Sequence, residues 1–293
     1  VIMQEDTERN GNSVQVKDKA EVRENIRDAG EDVREGETVI RKGADLMPAH
    51  IGMMAVVGRS TALVGRRPQV AVLSTGDEVM DLDEPLSGPC IYNSNGYMLA
   101  AQIKSAGGIP SYLGIARDNE KDLMEKFKWA LQCDMVVSSG GVSVGDYDLV
   151  KTSLKKMGQE MLFWKVAMKP GKPLAFGRID DVPIFGLPGN PVSSFVSFEQ
   201  FVRPSIRKMM GATQLNHKCV QAKLTRTVHK KAGRQHFLSS YVNWEGGECT
   251  VSPTQEQGSG ILKSTVNANG LLIFPLELTE MTEGTEVTVQ LLE

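Results

Sequence analysis

Short stretches of this chain carry the residue types that could do chemistry. Asp77 and Glu78 lie in Ser74-Thr-Gly-Asp-Glu78, Asp118 closes Gly114-Ile-Ala-Arg-Asp118, and Asp146 and Asp148 end Ser138-Ser-Gly-Gly-Val-Ser-Val-Gly-Asp-Tyr-Asp148. Together these carboxylates could hold Mg²⁺ on the phosphates of a bound nucleotide, since that ion keeps several waters and needs few protein oxygens. Asp32, in Gly30-Glu-Asp-Val33, could join them if its segment folds over the cleft. Lone acids in loops also cap helices, and Asp118, just before a helical stretch, could be such a cap. Ser139, Gly140, Gly141, Ser143 and Gly145 would cradle a phosphate or the polar edge of a pterin through backbone amides and hydroxyls. A tight strand-to-helix turn is the bland alternative. Lys165, Lys169 and Lys172, stiffened by Pro170 and Pro173, could clamp an oxyanion, or else form a solvated surface turn. Leu187-Pro-Gly-Asn-Pro191 adds Pro188 and Pro191 to the set.

Other chemistries find little support. His50, His217, His229 and His236 show no metal spacing and read as satisfied or solvated side chains. Cys90, Cys133, Cys219 and Cys249 form no CxxC pair, which suits a reduced, cytoplasmic setting better than a disulfide framework. No G-x-S-x-G elbow or Walker A loop occurs, so electrostatic and metal-ion catalysis is favoured over a covalent mechanism. A net charge of -3 gives no electrostatic footprint for nucleic acid or an anionic membrane, and no apolar run approaches a transmembrane span.

The elements that must position these residues change character along the 293-residue chain. Residues 1–67 read as short strand-like runs, Val14–Val16 and Thr38–Ile40 among them, with one helix over Met47–Val57. From Val70 to Gly211 strands alternate with helices, so a central, doubly wound, mostly parallel α/β sheet with helices on both faces is expected over residues 68–213. The predicted helices include Asn95–Ala106, Asn119–Leu131, Leu149–Met157 and Pro191–Met210. The unusual loops then lie at strand carboxyl ends, where open α/β sheets bind ligands. Residues 214–293 read as an all-β domain, sandwich or barrel.

Taken in order, MQEDT, ENIRDAGEDV, STGDE, IYNSN, GIARD, SSGGVSVGDYD, FWKVAMKPGKP, FGLPGNPVS and QGSG resemble the molybdopterin molybdotransferase family, MoeA and the gephyrin E domain, over nearly the whole chain. The resemblance implies that molybdate is inserted into adenylyl-molybdopterin, with AMP released and Mg²⁺ as cofactor. It implies functional acids at Glu78, Asp118, Asp148 and Asp32, functional lysines at Lys165 and Lys169, cleft prolines at Pro188 and Pro191, and a serine at Ser259. From charge, the acids at 78, 118 and 148 would position Mg²⁺. The lysines would hold molybdate or stabilise phosphate charge.

A homodimer is expected, with hand-over of substrate from molybdopterin adenylyltransferase. The family's PxxDNSAMDGYA-like motif finds no match here, and the chain starts at Val1. Residues 1–67 are therefore expected to be the trailing, β-rich remnant of N-terminal domains, and the chain alone is expected to be nearly inactive. The competing readings are an adenylyltransferase-like enzyme and a non-catalytic scaffold of the gephyrin type.

Overall fold

The computed structural model describes residues 1–141 and 149–292. Two compact units emerge, Val1–Ala62 and Leu63–Glu293. The first holds an antiparallel hairpin, β1 (Thr7–Asn10) and β2 (Ser13–Val16), turning at Gly11 with φ of 62°, and a helix, α1 (Pro48–Val56). Pro48 at the first helical position suits α1 because its missing N–H would have no partner there. The strand expected at Thr38–Ile40 does not form. Positive-φ turns at Gly36 and Gly43 bracket that run, leaving it too short to recruit a partner strand.

The second unit begins with β3 (Gln69–Thr75), β4 (Val79–Met80), β5 (Ile91–Tyr92), α2 (Ser94–Ser105), β6 (Ile109–Ala116) and α3 (Glu120–Ala130). It continues through β7 (Met135–Ser139), α4 (Leu149–Lys156), β8 (Glu160–Lys165), β9 (Met168–Lys169), β10 (Pro173–Ile179) and β11 (Val182–Leu187). The main sheet has the order β6-β3-β7-β11-β10-β8. β6, β3, β7 and β11 run parallel, whereas β10 is antiparallel to both its neighbours, giving a mixed sheet. Alternation along β3 shows why the sheet is covered twice. Val70 and Val72 pack with Leu99, Ile103 and Phe198, while Ala71 and Leu73 pack with Leu123, Phe127 and Leu154 on the other face.

The long helix expected over Pro191–Met210 is broken into α5 (Pro191–Ser197), a π-helical stretch Phe198–Val202, and α6 (Arg203–Met209). The Arg203 N–H reaches back to the Phe198 carbonyl, and Pro204, with no N–H to offer, sits where the pattern changes.

The remaining elements are β12 (Cys219–Leu224), β13 (Val228–His229), β14 (Gln235–Glu245), β15 (Glu248–Pro253), α7 (Lys263–Val266), β16 (Gly270–Phe274), β17 (Glu280–Met281) and β18 (Glu286–Leu291). Strands β15, β12, β18, β16 and β14 close on themselves because β15 pairs with both β12 and β14, so the C-terminal part is barrel-like. Its core is Leu224, Val242, Val251, Leu272, Phe274 and Val289. The lysine segment supplies an extra strand to this barrel: β9 runs parallel to β14, with Met168 opposite Gln235 and Lys169 opposite His236. Met168, Val192, Val196, Phe237 and Leu271 then seal the junction of sheet, α5 and barrel.

Candidate functional site: a switch-point cleft beside a cationic cavity

From β3 the chain passes through α2 to β6 on one side, then through α3 to β7 on the other, so the strand order reverses between β3 and β7. Beyond the carboxyl ends of these strands lies a cleft of about 950 Å³. Glu78, Asp118, Ser139, Gly140, Gly141, Pro188 and Pro191, singled out from the sequence, all line it. Pro173 lines it too. Although β10 begins there, it runs against β11, so its first residue comes to the same edge as the carboxyl ends of its neighbours. Ser143, Gly145, Asp146 and Asp148 lie outside the described residues.

Asp118 is not the helix cap. Asn119 caps α3 by accepting from the Asp122 N–H at 2.9 Å, leaving the Asp118 carboxylate to accept from the Asp77 N–H at 3.3 Å. Asp77 returns the contact, accepting from the Asp118 N–H at 3.0 Å. Gly76 has φ of 131°, and a Cβ there would lie 2.6 Å from the Glu78 carboxylate, which folds back over it. Among the described residues no group of three or more His, Cys, Asp or Glu side chains gathers as a metal set. Glu78 and Asp118 at the cleft edge nonetheless suit Mg²⁺, which takes one or two protein carboxylates and completes its shell with ligand oxygens and water.

The glycines of the Ser138 loop are needed first for packing. At Gly140 a Cβ would meet the Thr75 carbonyl at 2.7 Å, and at Gly141, with φ of 62°, it would meet Val150 at 2.2 Å. A bulky residue at 141 therefore disturbs the fold of the cleft and cannot isolate an effect on a ligand.

Sequence reasoning missed the asparagines beneath the cleft. Asn93 accepts from Ser74 Oγ at 2.8 Å and from the Gly96 N–H at 3.0 Å, and it donates to Tyr112 Oη at 2.7 Å. Tyr112 and Tyr97 donate in turn to Asp81 at 3.2 and 2.5 Å. Those donors, Tyr97 above all, hold the Asp81 carboxyl below its usual range. Burial, then the Asp81 charge, push the Tyr112 hydroxyl up. Asn95 ties neighbouring loops together by donating to Ser139 Oγ at 2.8 Å and to the Gly189 carbonyl at 2.7 Å. The IYNSN string contained both asparagines, and only their place at the start of α2 signalled a role.

A second cavity of about 530 Å³ opens between the lysine segment and the barrel. Lys169, Arg226, Lys230, Lys231, Arg234 and His236 line it, and no carboxylate is among its described lining residues. Thus the three lysines do not line one cavity together. Lys169 faces this cavity, while the exposed Lys165 and Lys172 line neither. The run from Arg226 to His236, basic in a slightly acidic chain, was the sequence signal for it. Ser259 stands beside the cleft, accepting from Asn190 Nδ2 at 3.3 Å, and its carbonyl accepts from the Val192 N–H at 3.0 Å. Asp32 belongs to the first unit. His217 is buried against Glu199 at 2.7 Å, a paired core histidine.

Residues 71–208, which include nearly all of the main sheet and its switch point, match the family model of a probable molybdopterin binding domain. Residues 221–292 match the MoeA C-terminal region (domain IV), and residues 1–58 the MoeA N-terminal region (domain I and II). A molybdopterin molybdenumtransferase of Haemophilus influenzae is 37% identical over 271 residues, 91% of this chain and 67% of that protein. Molybdopterin molybdenumtransferase 2 of Mycobacterium tuberculosis is 35% identical over 99% of this chain and 72% of its own length. The MoeA crystal structure from Pyrococcus horikoshii superposes with a TM-score of 0.80 at 31% identity, covering 100% of this chain and 72% of that one. The chain belongs to the molybdopterin molybdenumtransferase (MoeA) family.

Proposed function

We infer that this chain inserts molybdate into adenylyl-molybdopterin, giving the molybdenum cofactor and AMP. The observation that carries this reading is the short segment 169–173. Lys169 lines the cationic cavity while Pro173 lines the cleft, which supports assigning an oxyanion and a bound pterin nucleotide to opposite ends of one turn. The names of the similar proteins support the same chemistry.

In this reading the switch-point cleft takes the adenylylated pterin, with Ser139, Gly140 and Gly141 lending amides and hydroxyls to its polar groups. Ser143 and Gly145 are assigned to the same cradle, and Asp148 to Mg²⁺ alongside Glu78 and Asp118. Glu78 and Asp118 hold Mg²⁺ there, which neutralises charge at the pyrophosphate when bound. Lys169 and Arg234 attract molybdate by charge, in a cavity whose walls focus the field. Lys165 and Lys172, exposed on either side of Lys169, raise the local positive potential. Pro188, Pro191 and Ser259 shape the rim where the cleft meets the barrel. A homodimer, a cytoplasmic setting and hand-over from molybdopterin adenylyltransferase complete the reading, and light scattering tests the first of these.

Calorimetry with AMP and with molybdate tests the separation of the sites. Both are expected to bind at once, and Arg234→Gln is expected to weaken molybdate while sparing AMP. Mutual exclusion of AMP and molybdate would overturn the assignment of separate cavities.

A further inference from the structure

The cationic cavity contains a side chain that its charge pattern alone does not explain. His236 is only 8% exposed, lines the cavity, and has no hydrogen-bonding partner among the described residues. Its ring meets Phe274 edge-on, with centroids 6.3 Å apart, and Lys230 lies over the same Phe274 at 4.9 Å. Among the described residues, the ionisable groups that line the cavity with it are all basic. Lys169 faces it from β9, His229, Lys230 and Lys231 from β13 and the turn after it, Arg226 from the turn before, and Arg234 from the approach to β14. Burial, then Lys169, Lys230 and Arg234, hold the empty-cavity imidazole down to about 4. A neutral, buried ring amid cations is therefore a lining group whose charge can still rise.

We propose that His236 couples oxyanion entry to proton uptake: a tetrahedral dianion enters with one proton from solvent, which the imidazole takes and then donates back to the anion as a hydrogen bond. This rests on reading the cavity as the oxyanion site. The physical basis is a reversal of field, since the dianion cancels the surrounding cations that had opposed the imidazolium. The balance is simple: protein plus dianion plus H⁺ gives the complex, with no bond broken in the anion. Selectivity follows. A dianion recruits the extra charge more strongly than a monoanion of the same shape, and affinity rises as pH falls toward the empty-site value.

Sulfate is the clean probe, because it stays a dianion throughout the relevant pH range. The experiment is calorimetric titration of the protein with sulfate at about pH 5.5, between the empty-site value and the ordinary histidine value of about 6.5. Buffers of different ionisation enthalpy then report the protons taken up. Up to one proton per sulfate is expected, with affinity falling by at most about tenfold per pH unit above that point. His236→Gln is expected to bind sulfate without uptake and with a flat pH profile. Should that variant fold poorly, the histidine ring resonances of the unaltered protein give the same answer, since His236 titration is expected to move upward in saturating sulfate. Binding without proton uptake, equal uptake by His236→Gln, or an unmoved His236 titration would overturn the proposal and leave the oxyanion reading standing. No binding of sulfate or molybdate at all would overturn both.

Discussion

Asp77 and Asp118 hold one another across neighbouring strand ends: the Asp118 N–H donates to Asp77 Oδ1 at 3.0 Å, and the Asp77 N–H donates to Asp118 Oδ2 at 3.3 Å. The exchange joins the loop after β3 to the loop after β6 and fixes one carboxylate at the cleft edge. Asp118→Asn keeps an oxygen for the Asp77 N–H, so melting should change little. The lost charge should lower AMP release at limiting Mg²⁺ by roughly 10²-fold, the usual scale for deleting one electrostatic group. Turnover near the unaltered rate would assign Asp118 to loop bracing alone.

Gly141→Ala should destabilise the protein whether or not ligand is present. Its Cβ would fall 2.2 Å from Val150, on a residue with φ of 62°. Overpacking of this kind costs about 1–3 kcal/mol, readable as a lower urea midpoint. An unchanged midpoint would mean that the loop has room the structure does not show.

Tyr112→Phe removes the hydroxyl that accepts from Asn93 and donates to Asp81. A buried amide donor left without its acceptor costs about 1–3 kcal/mol. Because Asn93 also receives Ser74 Oγ and the Gly96 N–H, affinity for AMP should fall along with stability. A loss of stability with AMP affinity intact would confine this network to the fold.

Acid should weaken the empty protein through His236. The unfolded chain takes a proton near 6.5, whereas the buried ring resists until about 4, so the unfolded state carries more protons in that window. Stability therefore falls as pH drops from 6.5 toward 4, and is fully restored above it. His236→Gln should flatten this part of a stability-against-pH profile, and an unchanged slope would place the acid sensitivity elsewhere.

Much of the fold was legible because its signals were local. Continuous apolar runs marked β3 and β7, and glycines and acids marked the loops at their ends, so Glu78, Asp118 and Gly140 fall in one cleft. What stayed hidden depended on long-range pairing. The cationic cavity gathers Lys169 with residues some sixty positions later through β9, a strand of 2 residues that no periodicity could reveal. The break at Phe198–Val202 was equally silent, because Pro204 was read as part of one long helix. Asp118 could be separated from a helix cap only once Asn119 was seen to hold that place.

Turnover of adenylyl-molybdopterin tests the central claim most directly. With the protein, Mg²⁺ and molybdate present, AMP and molybdenum cofactor should form in equal amounts. Omitting molybdate should abolish cofactor formation, and replacing Arg234 or Lys169 with Gln should lower it by about tenfold or more, as expected for losing one charge-assisted hydrogen bond. Protein that releases AMP without forming cofactor, or that forms cofactor equally well without those cations, would contradict the account.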